Sequence, residues 1–267
     1  MSYIPLQNRS VMILYGLDVR NFLQNIITND VNKLNEQKAI YSLLLNPQGK
    51  YLYDFFLIRY DKYIMLECAD THLQQIIEQL NLLKTYMKVK IKDISSLYKV
   101  GALLNAKSVE SVENNKSQII FPDPRHKSLG MRIIHKGEIK QPIENFIQYE
   151  KVRIQNLIPD GVKDMIQNSS FPLQYLIDKV NGISFSKGCY IGQEVVNRMS
   201  RQKIFRKKLY LVRGNDTLPN IGTKIINDSN EEVGELRSSV DNIGLALLCT
   251  NKNYTNLYSA GIKISSY

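Results

Sequence analysis

The stretch ISFSKGCYIGQEVVNRM, residues 183–199, places Cys189 between two glycines, Gly188 directly before it and Gly192 three residues after. Glycine admits positive φ and close backbone approach, so a turn of this kind presents a side chain rather than burying it. Lys187 stands two residues before the thiol, and a nearby cation lowers a thiol pKa and raises the thiolate fraction. Gln193 and Glu194 follow, two short polar groups able to orient the thiol or a ligand. The opposing reading is a small buried cysteine in a strand–turn connection, and the residues alone leave the two evenly open. The nearest histidines in sequence, His126 and His135, are too remote for a local Cys–His pair.

Upstream, GLDVRNFLQNIITNDV (16–31) predicts a short helix with Asp18 as N-cap and an apolar stripe of Phe22, Leu23, Ile26 and Ile27. AIYSLLL (39–45) and YLYDFFLIRY (51–60) flank NPQGK, whose Pro47 and Gly49 supply turn chemistry, so a hairpin is expected. Asp54 sits inside its second strand, where a carboxylate is out of place. YIMLEC reads as a strand, and Thr71 with Gln74 makes a capping-box pattern opening a helix that carries Leu73, Ile76, Ile77, Leu80 and Leu83. Between Val89 and His135, short apolar runs broken at Asn114-Asn115 and at PDPRHK predict strands. ENFIQYEKVRIQNLIPDG (144–161) predicts a helix stopped by Pro159. Beyond Arg206 the chain changes to short strands separated by Asn, Gly and Asp turns, expected to form a small β-barrel or sandwich.

The 267 residues suffice for a sizeable core, with 43% apolar side chains. Three cysteines, Cys68, Cys189 and Cys249, lie far apart without CxxC spacing, which argues against a disulfide framework and against a self-contained metal or cluster site. No stretch reaches the length of a membrane span, and the N-terminus lacks a signal-type apolar run, so a soluble, cytoplasmic, monomeric protein is expected. The net charge of +10 includes seven cations between Arg198 and Arg213: Arg198, Arg201, Lys203, Arg206, Lys207, Lys208 and Arg213. Strand alternation through KKLYLVR cannot put all of them on one face. Nothing there has the aromatic interleaving of an RNA-recognition surface, so nucleic acid is not the expected partner.

The octapeptide KGCYIGQE (187–194) is the signature string of the YgfZ family, folate-binding proteins that support iron–sulfur cluster assembly or repair and are related to the glycine-cleavage T-protein. GLDVRNFLQNIITNDV, LNPQGKYLYDFFLIR, RIQNLIPDG with FPLQYLID, and RKKLYLVR resemble the same family in the same order. The resemblance implies an α+β fold: a T-protein-like cloverleaf of antiparallel-sheet subdomains around a central hole, closed by a C-terminal β-barrel. It implies a folate-binding region over residues 1–200, built of two interleaved α+β subdomains, and a barrel domain over 201–267. It further implies bound tetrahydrofolate or a one-carbon derivative, held by Asp54, Arg153, Gln155, Tyr190, Gln193 and Glu194, with Cys189, Lys187 and Asp54 as the reactive set and no metal site. The partners it implies are reduced folate and iron–sulfur client or assembly proteins.

The departures from the T-protein pattern are local. Where T-proteins carry a carboxylate that holds the pterin, the chain reads Gln155-Asn156-Leu157, and a neutral amide makes a weaker contact than a carboxylate. The expected function is a tetrahydrofolate-binding, non-hydrolytic accessory factor working through the Cys189 thiol. A folate-dependent aminomethyltransferase using Asp54 is the alternative, and a tRNA-modification helper a weaker one.

Overall fold

The computed structural model describes residues 2–104, 106, 117–139, 141–203, 205–250 and 256–267. Its strands gather into a four-stranded sheet, a five-stranded sheet and a closed barrel, every pairing within them antiparallel. The four-stranded sheet contains β1 (Ser2–Pro5), and the five-stranded sheet contains β2 (Arg9–Tyr15). The chain then forms α1 (Val19–Ile26) before the expected hairpin of β3 (Ala39–Leu45) and β4 (Tyr51–Tyr60). β5 (Tyr63–Ala69), α2 (Leu73–Leu83) and β6 (Lys90–Asp93) complete this unit, in the sheet order β3-β4-β5-β2-β6. β7 (Lys99–Leu104), β8 (Gln118–Pro122) and β9 (Met131–His135) join β1 in the order β1-β7-β9-β8. The turn read at Asn114-Asn115 lies outside the described residues.

The five-stranded sheet is buried on both faces, which is why AIYSLLL and YLYDFFLIRY read as continuous apolar runs rather than as alternation. Phe55 and Leu57 of β4 and Ile40 and Leu44 of β3 pack with Phe22, Leu23, Ile26, Ile76 and Leu80 of α1 and α2. The opposite parity, Phe56, Ile58, Tyr41 and Leu43, enters a second core shared with the four-stranded sheet. Asp54 shares the parity of Phe56 and therefore faces this second core, in a strand flanked on both sides by neighbours.

After β9 come α3 (Phe146–Gln155), α4 (Gly161–Asp164) and α5 (Gln193–Gln202). The barrel then uses β10 (Lys207–Gly214), β11 (Lys224–Asn227), β12 (Glu232–Val240), β13 (Ile243–Cys249), β14 (Leu257–Ser259) and β15 (Ile262–Ser266). It closes in the order β10-β13-β12-β11-β14-β15. Its interior holds Val212, Leu236, Ala246 and Leu248, while the alternate residues Leu209, Leu245 and Leu247 turn outward into the shared core. The barrel thus packs on α3, α4 and the 3-10 turn at Pro172–Tyr175 and joins the core shared with the sheets.

Three local expectations are corrected. Thr71 does not cap α2: a 3-10 turn at Asp70–His72 precedes the helix, and the Thr71 amide donates to Asp70 Oδ1. Asp18 stands at the start of α1 but makes no capping bond, its Oδ2 accepting from the Lys88 amide at 2.7 Å. α3 ends at Gln155 rather than at Pro159, because Leu157 adopts φ 55° and turns the chain away.

Candidate functional site

The cysteine loop is built from α1 outward. Helix α1 ends with carbonyls that have no partner within the helix. The Lys187 ammonium fills that place, donating to the carbonyls of Gln24 (2.6 Å), Ile27 (2.7 Å) and Asn29 (3.0 Å). An ammonium has three hydrogens and all three are engaged. Lys187 is buried, and burial brings its pKa down to about 8, so it remains a cation at neutral pH. Through these contacts Lys187 ties the cysteine loop to α1.

The other end of the loop is fixed by glycine. Gly192 begins α5 at φ 81°, and a Cβ there would lie 2.7 Å from the Asn46 carbonyl oxygen and 2.9 Å from the Gly49 Cα. Gly49, at φ 72° in the β3–β4 turn, meets Val195 and the Gly192 carbonyl in return. The two glycines lock the hairpin turn against the start of α5. Gly188 needs no such explanation, since a Cβ on it would meet nothing within 4 Å. Gln193 Nε2 donates to the Gly188 carbonyl at 3.3 Å, and Glu194 lies in the first turn of α5, where a carboxylate complements the helix dipole. Gln193 closes the loop and Glu194 supports the helix. The Tyr190 ring packs 5.0 Å from Lys187 Nζ, with its hydroxyl buried and lacking a hydrogen-bond partner among the described residues.

Between these anchors Cys189 is exposed. Cys68 is buried in β5, and burial pushes its thiol up to about 12. Cys249, at the end of β13, is half-buried. Only a thiolate is a competent nucleophile or metal ligand, and Cys189 alone is both solvent-facing and held at both ends. Among the described residues no group of three His, Cys, Asp or Glu side chains is placed to hold a metal ion.

Replacing Lys187 with methionine leaves the carbonyls of Gln24, Ile27 and Asn29, in and just after the last turn of α1, without their donor. About 2–3 kcal/mol of stability should be lost, read as a lower thermal midpoint together with faster proteolytic cleavage of residues 183–192. Unchanged stability would show that the carbonyls find water instead.

The second predicted centre is filled from within. Asp54 is buried, its Oδ2 accepting from the Tyr41 hydroxyl at 3.0 Å and its Oδ1 from the Tyr51 hydroxyl at 2.9 Å. Gly161 presses against it so closely that a Cβ would lie 1.7 Å from Oδ1. Arg153, fully buried, donates to both oxygens of Glu150 at 3.0 Å, to Asp164 Oδ2 at 2.8 Å and to the Ile158 carbonyl at 2.8 Å. Asp164 reaches across to the barrel, accepting from the Ser238 amide and hydroxyl. Gln155 is exposed at the end of α3. Cavities of about 760, 560 and 360 Å³ open elsewhere, and none is lined by Asp54, Arg153, Gln155, Tyr190, Gln193 or Glu194; another of about 430 Å³ is lined by Glu194 but by none of the other five. The smallest reaches Tyr41, which screens Asp54 from it. The residues expected to cradle tetrahydrofolate thus spend their polar atoms on the fold or stand apart, and as arranged they do not fit that ligand.

A charged network escaped the sequence reading. Glu67 of β5 accepts from Arg9 Nε at 2.7 Å and from two nitrogens of Arg132. Arg132 Nη1 also donates to Asp123 Oδ2 at 3.2 Å, and Arg125 binds the same carboxylate. The Arg132 guanidinium lies 4.1 Å from the Phe56 ring centre. Its signal in the sequence is the one that marked Asp54, a charge inside an apolar strand, as in YIMLEC and MRIIH.

This network sets the acid limit of the fold. Burial pushes the Asp123 carboxyl up, but Arg125 and then Arg132 more than reverse this and hold it at about 2, against an ordinary 3.8. Glu67, Glu150 and Asp160 are shifted in the same direction. A depressed carboxyl stabilises the fold above its unfolded pKa and ceases to do so as pH falls through its folded one. Asp123 alone should contribute about 2 kcal/mol above pH 4, lost toward pH 2. Denaturant midpoints measured from pH 6 to pH 2 should fall steeply below pH 4, and Asp123→Asn should flatten that fall.

The GCVT N-terminal domain matches residues 7–123, and the CAF17 C-terminal β-barrel domain matches residues 206–265. The chain is 29% identical to human "Iron-sulfur cluster assembly factor IBA57, mitochondrial", the match covering 92% of this chain and 77% of the relative. The mouse protein of the same name is 28% identical over 91% and 76%. The Dictyostelium discoideum homologue is 26% identical over 78% and 62%. Among solved structures, glycine cleavage system aminomethyltransferase T from Bartonella henselae superposes with a TM-score of 0.78 at 13% identity, over 99% of this chain and 84% of that one. The chain therefore has the T-protein fold, with a GCVT-type N-terminal domain and a CAF17-type barrel. The expected cytoplasmic location is overturned, because these three relatives are all named mitochondrial. Among the described residues no helix is long and apolar enough to cross a membrane.

Proposed function

We propose that this protein is a mitochondrial iron–sulfur cluster assembly factor whose working group is the Cys189 thiol. The observation that carries the reading is the contrast among its three cysteines: one exposed on a loop clamped at both ends, one buried with its thiol near pKa 12, one half-buried in the barrel. The names of the relatives supply the process, and the clamped loop supplies the group.

One thiolate provides one iron ligand, whereas clusters are held by four. Cys189 therefore acts on a cluster whose other ligands come from a partner protein. Its sulfur loses a proton and takes the place of one existing thiolate on iron, and the displaced thiolate takes up a proton from solvent, a ligand exchange that moves no electrons. The fixed loop keeps the sulfur in one position through that exchange. The transferase alternative is not favoured, since the Asp54 carboxylate is engaged by two tyrosines and walled in by Gly161.

The test uses mitochondria lacking the endogenous protein and supplied with single variants. Cluster-dependent enzyme activities should fall toward the level of the deletion with Cys189→Ser and stay near wild type with Cys249→Ser. Normal activities with Cys189→Ser would end the proposal.

A further inference from the structure

A groove of about 560 Å³ lies where the end of α5 meets the barrel and the turn after Phe171. Its floor is apolar, formed by Leu173, Leu176 and Phe205, and its rim carries Lys179, Lys203 and Lys208. The one carboxylate in its lining, Asp178, is already engaged by Lys179 at 3.2 Å. Lys203 and Lys208 have no carboxylate within 4 Å among the described residues, and neither have Arg198, Arg201 and Arg206 nearby in the chain.

Two walls of the groove are held in a conformation that side chains of this size disfavour. Leu176 has φ 59° and Lys203 has φ 52°, both left-handed. Non-glycine residues are strained in this region and persist where the surroundings impose them, often at binding sites. Here the two turns set the facing edges of one groove: Leu176 ends the 3-10 turn at Pro172–Tyr175, and Lys203 ends α5.

We infer that this groove docks an acidic segment of a protein partner, one that places leucine or phenylalanine side chains on the apolar floor and carboxylates against the three lysines. The size lies in the range of sites that enclose side chains or small ligands. An apolar floor of two leucines with a single phenylalanine offers no stacking ladder, so it suits an acidic peptide better than single-stranded RNA. The groove also stands in a defined relation to Cys189. α5 begins four residues after the thiol and runs ten residues, about 15 Å, ending at its C-cap Lys203. A partner seated in the groove has its bulk alongside the helix that leads to the cysteine loop. The inference names the surface by which a cluster-bearing partner is held, and it rests on the cluster-assembly reading for what that partner does.

The test measures fluorescence anisotropy of a fluorescein-labelled peptide, in which phenylalanine and leucine alternate with pairs of glutamates, against the full chain. Saturable, salt-sensitive binding is expected. It should weaken about tenfold or more in the triple variant Lys179→Glu, Lys203→Glu, Lys208→Glu, and also in Phe205→Ala, with thermal midpoints kept as the check on folding. A peptide with glutamine for glutamate should bind at least tenfold more weakly. Cys189→Ser should bind as wild type, so a failure of the cluster-assembly reading leaves this readout untouched. The inference is overturned by absent binding, by full binding to the triple variant, by equal binding of the glutamine peptide, or by loss of binding in Cys189→Ser. It is equally overturned if oligouridine binds through the same lysines more tightly than the peptide.

Discussion

Replacing Arg132 by methionine should remove about 3–5 kcal/mol of stability, the loss typical of breaking a buried ion pair by deleting one partner. Arg132 bridges the two sheets, from β9 in one to Glu67 on β5 in the other, and covers the Phe56 ring. Three guanidiniums, those of Arg9, Arg125 and Arg132, share two carboxylates, Glu67 and Asp123. Removing the central cation leaves each acid with one partner and opens a gap over Phe56. Lysine should rescue little, because a point charge cannot make the paired contacts of a planar guanidinium. Urea unfolding should show a lower midpoint at an unchanged slope. A loss under about 1 kcal/mol would mean that apolar packing alone joins the sheets.

The second large effect is expected at Gly192. Alanine there meets two costs: a left-handed φ that a Cβ disfavours, about 1 kcal/mol, and contacts of 2.7 and 2.9 Å with the backbone of the β3–β4 turn. Overpacking against rigid backbone adds about 1–3 kcal/mol. Gly137→Ala isolates the first cost, since Gly137 has φ 73° but nothing within 4 Å of a Cβ. Gly192→Ala should lower the thermal midpoint well beyond Gly137→Ala. It should also reduce cluster-assembly activity in the protein that remains folded, because the start of α5 carries the cysteine loop. Equal effects of the two substitutions would show that the hairpin turn yields.

Much of the architecture is readable from the chain because its signals are local. The helix over 19–26, the hairpin around NPQGK and the run of barrel strands follow from periodicity and turn residues within a few positions of one another. Asp54 and Cys189 also stood out locally, one as a carboxylate in an apolar strand and the other as a thiol between glycines. Where neighbours in sequence point in space is not legible locally. Lys187 is two residues from Cys189, yet its ammonium reaches back to carbonyls 158 to 163 positions earlier. Arg153 is among the folate-holding residues that the family resemblance implies, and its anions in the fold are Glu150, one turn away on α3, and Asp164, which no helical spacing relates to it. The Glu67–Arg132–Asp123 network joins strands from different sheets, and its pairing is set by topology that no short window contains.

One paired comparison distinguishes Cys189 from Asp54 as the working group. Cells lacking the protein are supplied with Cys189→Ser or with Asp54→Asn, and cluster-dependent enzyme activities are measured once thermal melts of the purified variants show both folded. The Cys189→Ser cells should match the deletion, and the Asp54→Asn cells should retain most of the wild-type activity. The reverse pattern, with Asp54 required and Cys189 dispensable, would contradict the account and return the protein to one-carbon chemistry.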